Sequence, residues 1–214
     1  RSGTAGNVMI DNGTTALGVQ GTVSGDLVLT SVGAVDLGAS TVSGTLGITS
    51  GGTVTSSGKL DITGATTISA SGQAVSLTNA DSSFGDFSVT AKDVYIVESG
   101  SFSSTSITAE TVQVSATEGV SISSTGDGLQ LAAQSVKGDI EVINTGGLVI
   151  SELTSIQGVK LTDVSATGKV SIVAQSPLTI NAPVDAKSGT LTLVAAGNAA
   201  TCLLYTSDAA DDIP

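Results

Sequence analysis

The sequence predicts an all-β chain wound as a three-sided parallel β-helix, and three observations predict it. Aliphatic residues come in pairs split by one residue, such as Ile140/Val142 and Leu148/Ile150. Such alternation between turn residues marks a short strand with one buried face. The pairs recur at a step of about 19 to 22 residues, a solenoid-length period. Aromatics make up only 2% of a chain that is 40% hydrophobic. A thick globular core uses aromatics as its bulkiest members, so Val, Ile and Leu must build a thin core repeated many times.

In chain order, residues 1 to 24 hold sparse pairs (Val8/Ile10, Leu17/Val19) that fit a further coil or two. A first track of pairs then runs through Leu27/Leu29, Leu46/Ile48, Ile68, Phe87/Val89, Ile107, Val120/Ile122, Ile140/Val142, Val159/Leu161 and Leu178/Ile180. A second runs through Val35/Leu37, Val54, Val75/Leu77, Val94/Ile96, Val112/Val114, Leu129/Leu131, Leu148/Ile150, Val170/Ile172 and Leu191/Leu193. A looser third set (Val42, Leu60, Val136, Leu153, Val164, Val184) falls between them. One coil is read as shortened, between Ile107 and Val120. Three short strands in roughly 20 residues is one turn of a three-sided solenoid.

A lone coil cannot offset its own ordering entropy. Stacking supplies a hydrogen-bond ladder at a spacing of about 4.8 Å and packs each aliphatic on its counterpart above and below. The inward residues are therefore expected in columns, with Ile140 over Val159 over Leu178. Gly51-Gly52, Gly126-Asp127-Gly128 and Gly146-Gly147 suit tight corners. Pro177 and Pro183 flank a short strand where missing donors are tolerable. Val149 to Leu161 could be drawn as a weak helix, but Gly158 and the β-branched content oppose it.

No domain boundary is visible, so residues 1–201 read as a single β-helix repeat domain. The start at Arg1, without an initiator Met, is expected of a fragment of a longer protein. Residues 202–214 break the pattern. The run from Cys202 to Asp211 resembles the translation of a transposase-type sequencing-library adapter. It is set aside from fold reasoning as a non-native tail.

Catalysis is short of parts. The chain has no histidine, and its single cysteine lies in that tail. The usual general base, thiol nucleophile and imidazole or thiolate metal ligand are thus missing. Without the tail, acids outnumber bases by nine and are scattered singly. Nucleic acid is disfavoured, because phosphate binding needs clustered Lys and Arg, and no apolar run is long enough for a membrane span. Asp139, Glu141, Asp61 and Asp163 are read as outward, solubilising carboxylates. Gly126-Asp127-Gly128-Leu129 partly matches a calcium-binding nonapeptide but stands alone, as a tight turn does. Thr53/Thr55 and Thr190/Thr192 resemble flat threonine ladders that bind ice, yet their equivalents in other coils vary. Asn12-Gly13-Thr14 fits a glycosylation sequon and is read as a turn. No catalytic, cofactor-binding or metal-ligating residue is assigned, and no cofactor is expected.

The Gly-x-aliphatic-x-aliphatic-Thr/Ser runs at Gly25 to Thr30, Gly44 to Thr49, Gly58 to Thr63, Gly85 to Thr90 and Gly189 to Leu193 carry a resemblance. From about Val8 to Asn198 the chain resembles the repetitive regions of filamentous-haemagglutinin-like (two-partner secretion) exoproteins and autotransporter adhesins. The resemblance implies a right-handed parallel β-helix, a non-catalytic stalk or passenger segment displayed at the bacterial cell surface. It implies an outer-membrane transporter barrel as partner during export, and a ligand of unknown identity on a host or neighbouring cell. A cysteine-free solenoid that folds as it emerges suits such export, because parallel pairing forms slowly. The alternative from another class is a β-helix carbohydrate-active enzyme, a polysaccharide lyase or hydrolase. That reading needs a cleft, long loops and sugar-stacking aromatics, whereas the turns here read as uniformly short and the aromatics as only Phe84, Phe87, Tyr95 and Phe102. A sandwich of short repeated domains would instead predict antiparallel pairing.

Overall fold

The computed structural model describes residues 6–13, 15–175 and 177–197. The tail at 202–214 and Thr14 of the sequon lie outside the described residues. What is described is strand, bend and turn with no helix, stacked as a parallel solenoid of about ten turns of roughly 19 residues.

Each turn has three sides. On the first, Val8–Asn12, Leu27–Ser31, Leu46–Ser50, residues 66–70, residues 87–91, Phe102–Thr108, Val120–Thr125, Ile140–Asn144, Val170–Gln175 and Leu191–Ala196 stack in that order. All those pairings are parallel. The second side carries rungs such as 35–37, Val54–Ser56, 129–131, Leu148–Ile150 and Leu178–Ile180. The third carries 40–42, Leu60–Ile62, 133–135, Val164–Ala166 and Val184–Ala186. Parallel stacking on all three sides excludes the sandwich of repeated domains.

The alternation predicted from sequence is what fills the column. Leu29, Val35, Val42, Val54, Val75, Val142 and Ile150 have no exposed surface, and the buried aliphatics form one continuous core. The corner after the first side is closed by inward polar residues instead. Asn144 donates from Nδ2 to the carbonyls of Gly126, Gly146 and Gly147 at 2.9–3.0 Å. Ser50 Oγ donates to Gly33 O and Gly52 O. Gly146 is needed there because a Cβ would sit 2.0 Å from Gly126 O.

Several expectations are corrected. Ile140 stacks on Val120 below and Val170 above, not on Val159. Leu178 stacks on Leu148, and Leu191/Leu193 sit on Val170/Ile172. The two tracks therefore exchange partners after Ile150, because the coil that starts at Ile140 carries an excursion. Residues 151–163 leave the column as a hairpin in which Leu153 pairs with Leu161 and Thr154 with Lys160, antiparallel. Val159 falls 19 residues after Ile140 by coincidence. Leu153 and Val136 likewise leave the third set, the first in the hairpin and the second 54% exposed at a turn. The turns are not uniformly short either: residues 78–82 make a longer connection before Ser83 rejoins the third side, paired in parallel with Asp61.

Nor is there a shortened coil between Ile107 and Val120. The rung under Val120 is Phe102, and the strand from Phe102 to Thr108 is bulged, so that Ile107 still sits on Val89. The bulge seats the Phe102 ring 5.6 Å from Phe87, which in turn meets Phe84 edge-on at 5.6 Å and 81°. All three phenylalanines are in the core.

Candidate functional site

Outward residues form columns as regular as the inward ones. Among the paired rungs no two acids face each other; each acid is next to a hydroxyl, a small residue or nothing charged. Asp36 accepts hydrogen bonds from Thr55 Oγ1 (3.0 Å) and Ser57 Oγ (2.6 Å) of the following coil. Asp61 accepts one from Ser83 Oγ at 3.1 Å, and Glu141 lies between Ser121 and Ser171. Like charges directly opposite would destabilise the ladder, so this spacing is what lets an acidic chain stack. Asp163, beside Asp185 and Lys187, is held above the usual carboxylate range by burial at the hairpin base.

Some acids do more than solubilise. Asp139, read as a plain outward carboxylate, sits at a corner and accepts the Lys169 N–H at 2.7 Å. Asp26 takes the Thr45 N–H at 2.8 Å and Thr45 Oγ1 at 3.0 Å, and these bonds hold its carboxyl below the ordinary value. Asn7 accepts the Asp26 N–H in the same manner. Asp127 accepts the Gly147 N–H at 2.9 Å, and Gly128 has φ +75°. The Gly-Asp-Gly run is thus a hydrogen-bonded turn. Asn12 Nδ2 donates to Thr15 O at 2.7 Å, again closing a turn.

One outward column of the first side is a run of neutral hydroxyls, Thr30, Thr49, Ser69, Thr90, Thr108 and Thr125. This is a different column from Thr55, whose neighbours are Asp36 and Ser76. At the edge of that face a shallow depression of about 440 Å³ is lined by Thr108, Glu110, Thr125, Asp127 and Gln130 among others. Among the described residues no three His, Cys, Asp or Glu side chains come together as metal ligands would. No described helix could cross a membrane.

Two features stand apart from the repeat. The first is Glu98, only 4% exposed. Its Oε1 accepts the Phe84 N–H at 3.1 Å while Oε2 has no partner. Burial pushes its carboxyl up to about 7, against the opposing effect of that hydrogen bond. The corner at Phe84 creates this position by placing its N–H on the carboxyl; nothing in the sequence around Glu98 distinguishes it from an outward acid.

The second is the hairpin. It turns through Ser155 to Gly158, where Ser155 N–H donates to Val159 O at 2.8 Å and Gly158 takes φ +85°. A glycine in the left-handed region is what such a hairpin turn requires. The hairpin lies on the outward column Ser76–Tyr95–Gln113–Ala132 of the second side. Leu153 and Leu161 pack on Ala132 as a small separate apolar cluster, and Gln113 Nε2 donates to Val159 O at 3.0 Å. At the tip, Gln157 Oε1 accepts Ser76 Oγ (2.8 Å) and Thr78 Oγ1 (2.5 Å). Its Nε2 donates to Ser56 O at 3.2 Å. Tyr95, which among the described aromatics is the one outside the main core cluster, is 7% exposed.

Residues 24–91, about a third of the chain, match a family model described as repeats of unknown function (DUF5649). With the stacked parallel rungs, that likeness fits a repetitive β-helix region. No curated protein and no solved structure matches the chain.

Proposed function

We propose that this chain is a non-catalytic structural segment, a stalk or passenger portion of a large bacterial adhesin that is secreted or displayed at the cell surface. The observation that carries the reading is the continuous parallel column itself. Ten first-side rungs at about 4.8 Å each give a rod segment of roughly 45 Å whose core runs unbroken from end to end. Each rung offers the next the same ladder, so length can be added without redesign. An outer-membrane transporter barrel is the export partner on this reading, and the ligand lies on a host or neighbouring cell. The lack of cysteine in residues 1–201 and the rung-by-rung core both suit a chain that folds as it leaves a pore.

The sugar-processing alternative draws less support. Phe84, Phe87 and Phe102 face the core and Tyr95 lies under the hairpin, so none of these rings is free to stack on a saccharide. Antibody raised against residues 24–91 should label intact producing cells as strongly as lysed ones. Labelling only after lysis would overturn surface display, and turnover of any soluble polysaccharide by the purified chain would overturn the non-catalytic reading.

A further inference from the structure

In a stack held together by nearest-neighbour contacts, each coil stabilises only the coils it touches. The hairpin at 151–163 departs from that rule. It emerges after Ile150, and its tip reaches the coil of Ser76 and Thr78, four second-side rungs back along Ala132, Gln113 and Tyr95. Four rungs are about 19 Å, within the roughly 24 Å that seven extended residues from Ile150 to Gln157 can span. Both ends of the Gln157 carboxamide are then engaged, Oε1 by two hydroxyls and Nε2 by one carbonyl, from residues 79 to 101 positions earlier.

We propose that this hairpin is a strap that makes the rungs from Val54 to Ala166 open as one unit rather than coil by coil. The strap ties its base to four earlier coils through contacts of two kinds, the Leu153/Leu161/Ala132 cluster near the base and the Gln157 socket at the tip. A coil inside the strapped span cannot part from its neighbour without also breaking the tip or the base contact. Coils N-terminal to Val54 have only their neighbours. The strap is releasable: it buries Gln113 with Oε1 left unpartnered, and its tip is held by hydrogen bonds alone. The inference concerns opening of the column and is independent of what the chain binds.

Native-state hydrogen exchange on the full chain, read peptide by peptide, tests it. Gln157→Ala removes the three tip bonds, and at about 1 kcal/mol each exchange in rungs 54–56, 74–77 and 93–96 should quicken at least about tenfold. Rungs 27–31 and 46–50 should not change. The reciprocal variant, Thr78→Val, should quicken exchange in the distant hairpin and in 111–116, since coupling acts in both directions. Glu152→Gln, which removes only the exposed pair with Lys160, should leave every rung as it is. Faster exchange confined to 151–163 would overturn the strap, and so would uniform acceleration that includes 27–50.

Discussion

The coils from Leu27 to Ile62 and those from Leu129 to Ala186 share an architecture and differ in what holds it. In the first stretch the step stays at 19 or 20 residues: Leu27 sits on Leu46, Val35 on Val54 and Ser40 on Leu60. In the second, the coil that starts at Ile140 needs 30 residues to reach Val170, its next rung. The core does not register the interruption, because Leu131 to Ala133 in one coil is answered by Ile150 to Val164 in the next. Rung identity therefore depends on stacking partners and not on residue count.

The sharpest way to break this comparison sets two residues 19 apart against each other. Ile140→Asp places an unpaired charge in the column, where Ile140 is 1% exposed, and should cost about 3–5 kcal/mol. Val159→Asp lies on the half-buried hairpin and should cost less than about 1 kcal/mol. Chemical denaturation midpoints decide; equal losses would return Val159 to the core.

Next in size is Glu98, buried at the corner where it accepts the Phe84 N–H. Its folded pKa of about 7 exceeds the ordinary 4.5. Below pH 4.5 the carboxyl is protonated folded or unfolded and costs nothing. Between 4.5 and 7 the unfolded chain gains the charge while the folded one resists it, so stability falls with rising pH and is lowest above 7. Glu98→Gln should therefore stabilise the protein by on the order of 2 kcal/mol at pH 8 and make no difference at pH 4. A pH series of melting curves reads this; a constant difference across the series would rule it out.

The smallest effect separates a corner acid from a surface one. Asp139→Ala should cost about 1 kcal/mol by orphaning the Lys169 N–H, whereas Asp139→Asn keeps the acceptor and should be near neutral, as Asn7 in the equivalent corner illustrates. Parallel thermal melts of the two variants provide the measurement.

Much of the fold was legible because burial has a period of two within a rung and a step near 19 between rungs, and both appear directly in the order of Leu, Ile and Val. The hairpin was not. Leu153 and Leu161 alternate like core residues because they too bury one face, against Ala132 on the outside of the column. The coil between Ile107 and Val120 read as shortened because a bulge, which leaves no mark in hydrophobicity, puts Phe102 and not Ile107 under Val120. Tyr95 and Gln113 occupy outward positions and are nonetheless buried, since a segment about fifty residues downstream of Gln113 folds back over them. Such covering is set by tertiary contact, which local pattern does not encode. For Glu98 the missing signal was the Phe84 turn above it.

The junction between Ile150 and Val164 has a practical consequence. A column that carries a thirteen-residue excursion there without displacing a single rung can host foreign sequence at the same point. Evolution can test new binding appendages there one at a time, and a protein engineer can graft an epitope or a reporter loop onto a rod whose aliphatic column lies elsewhere.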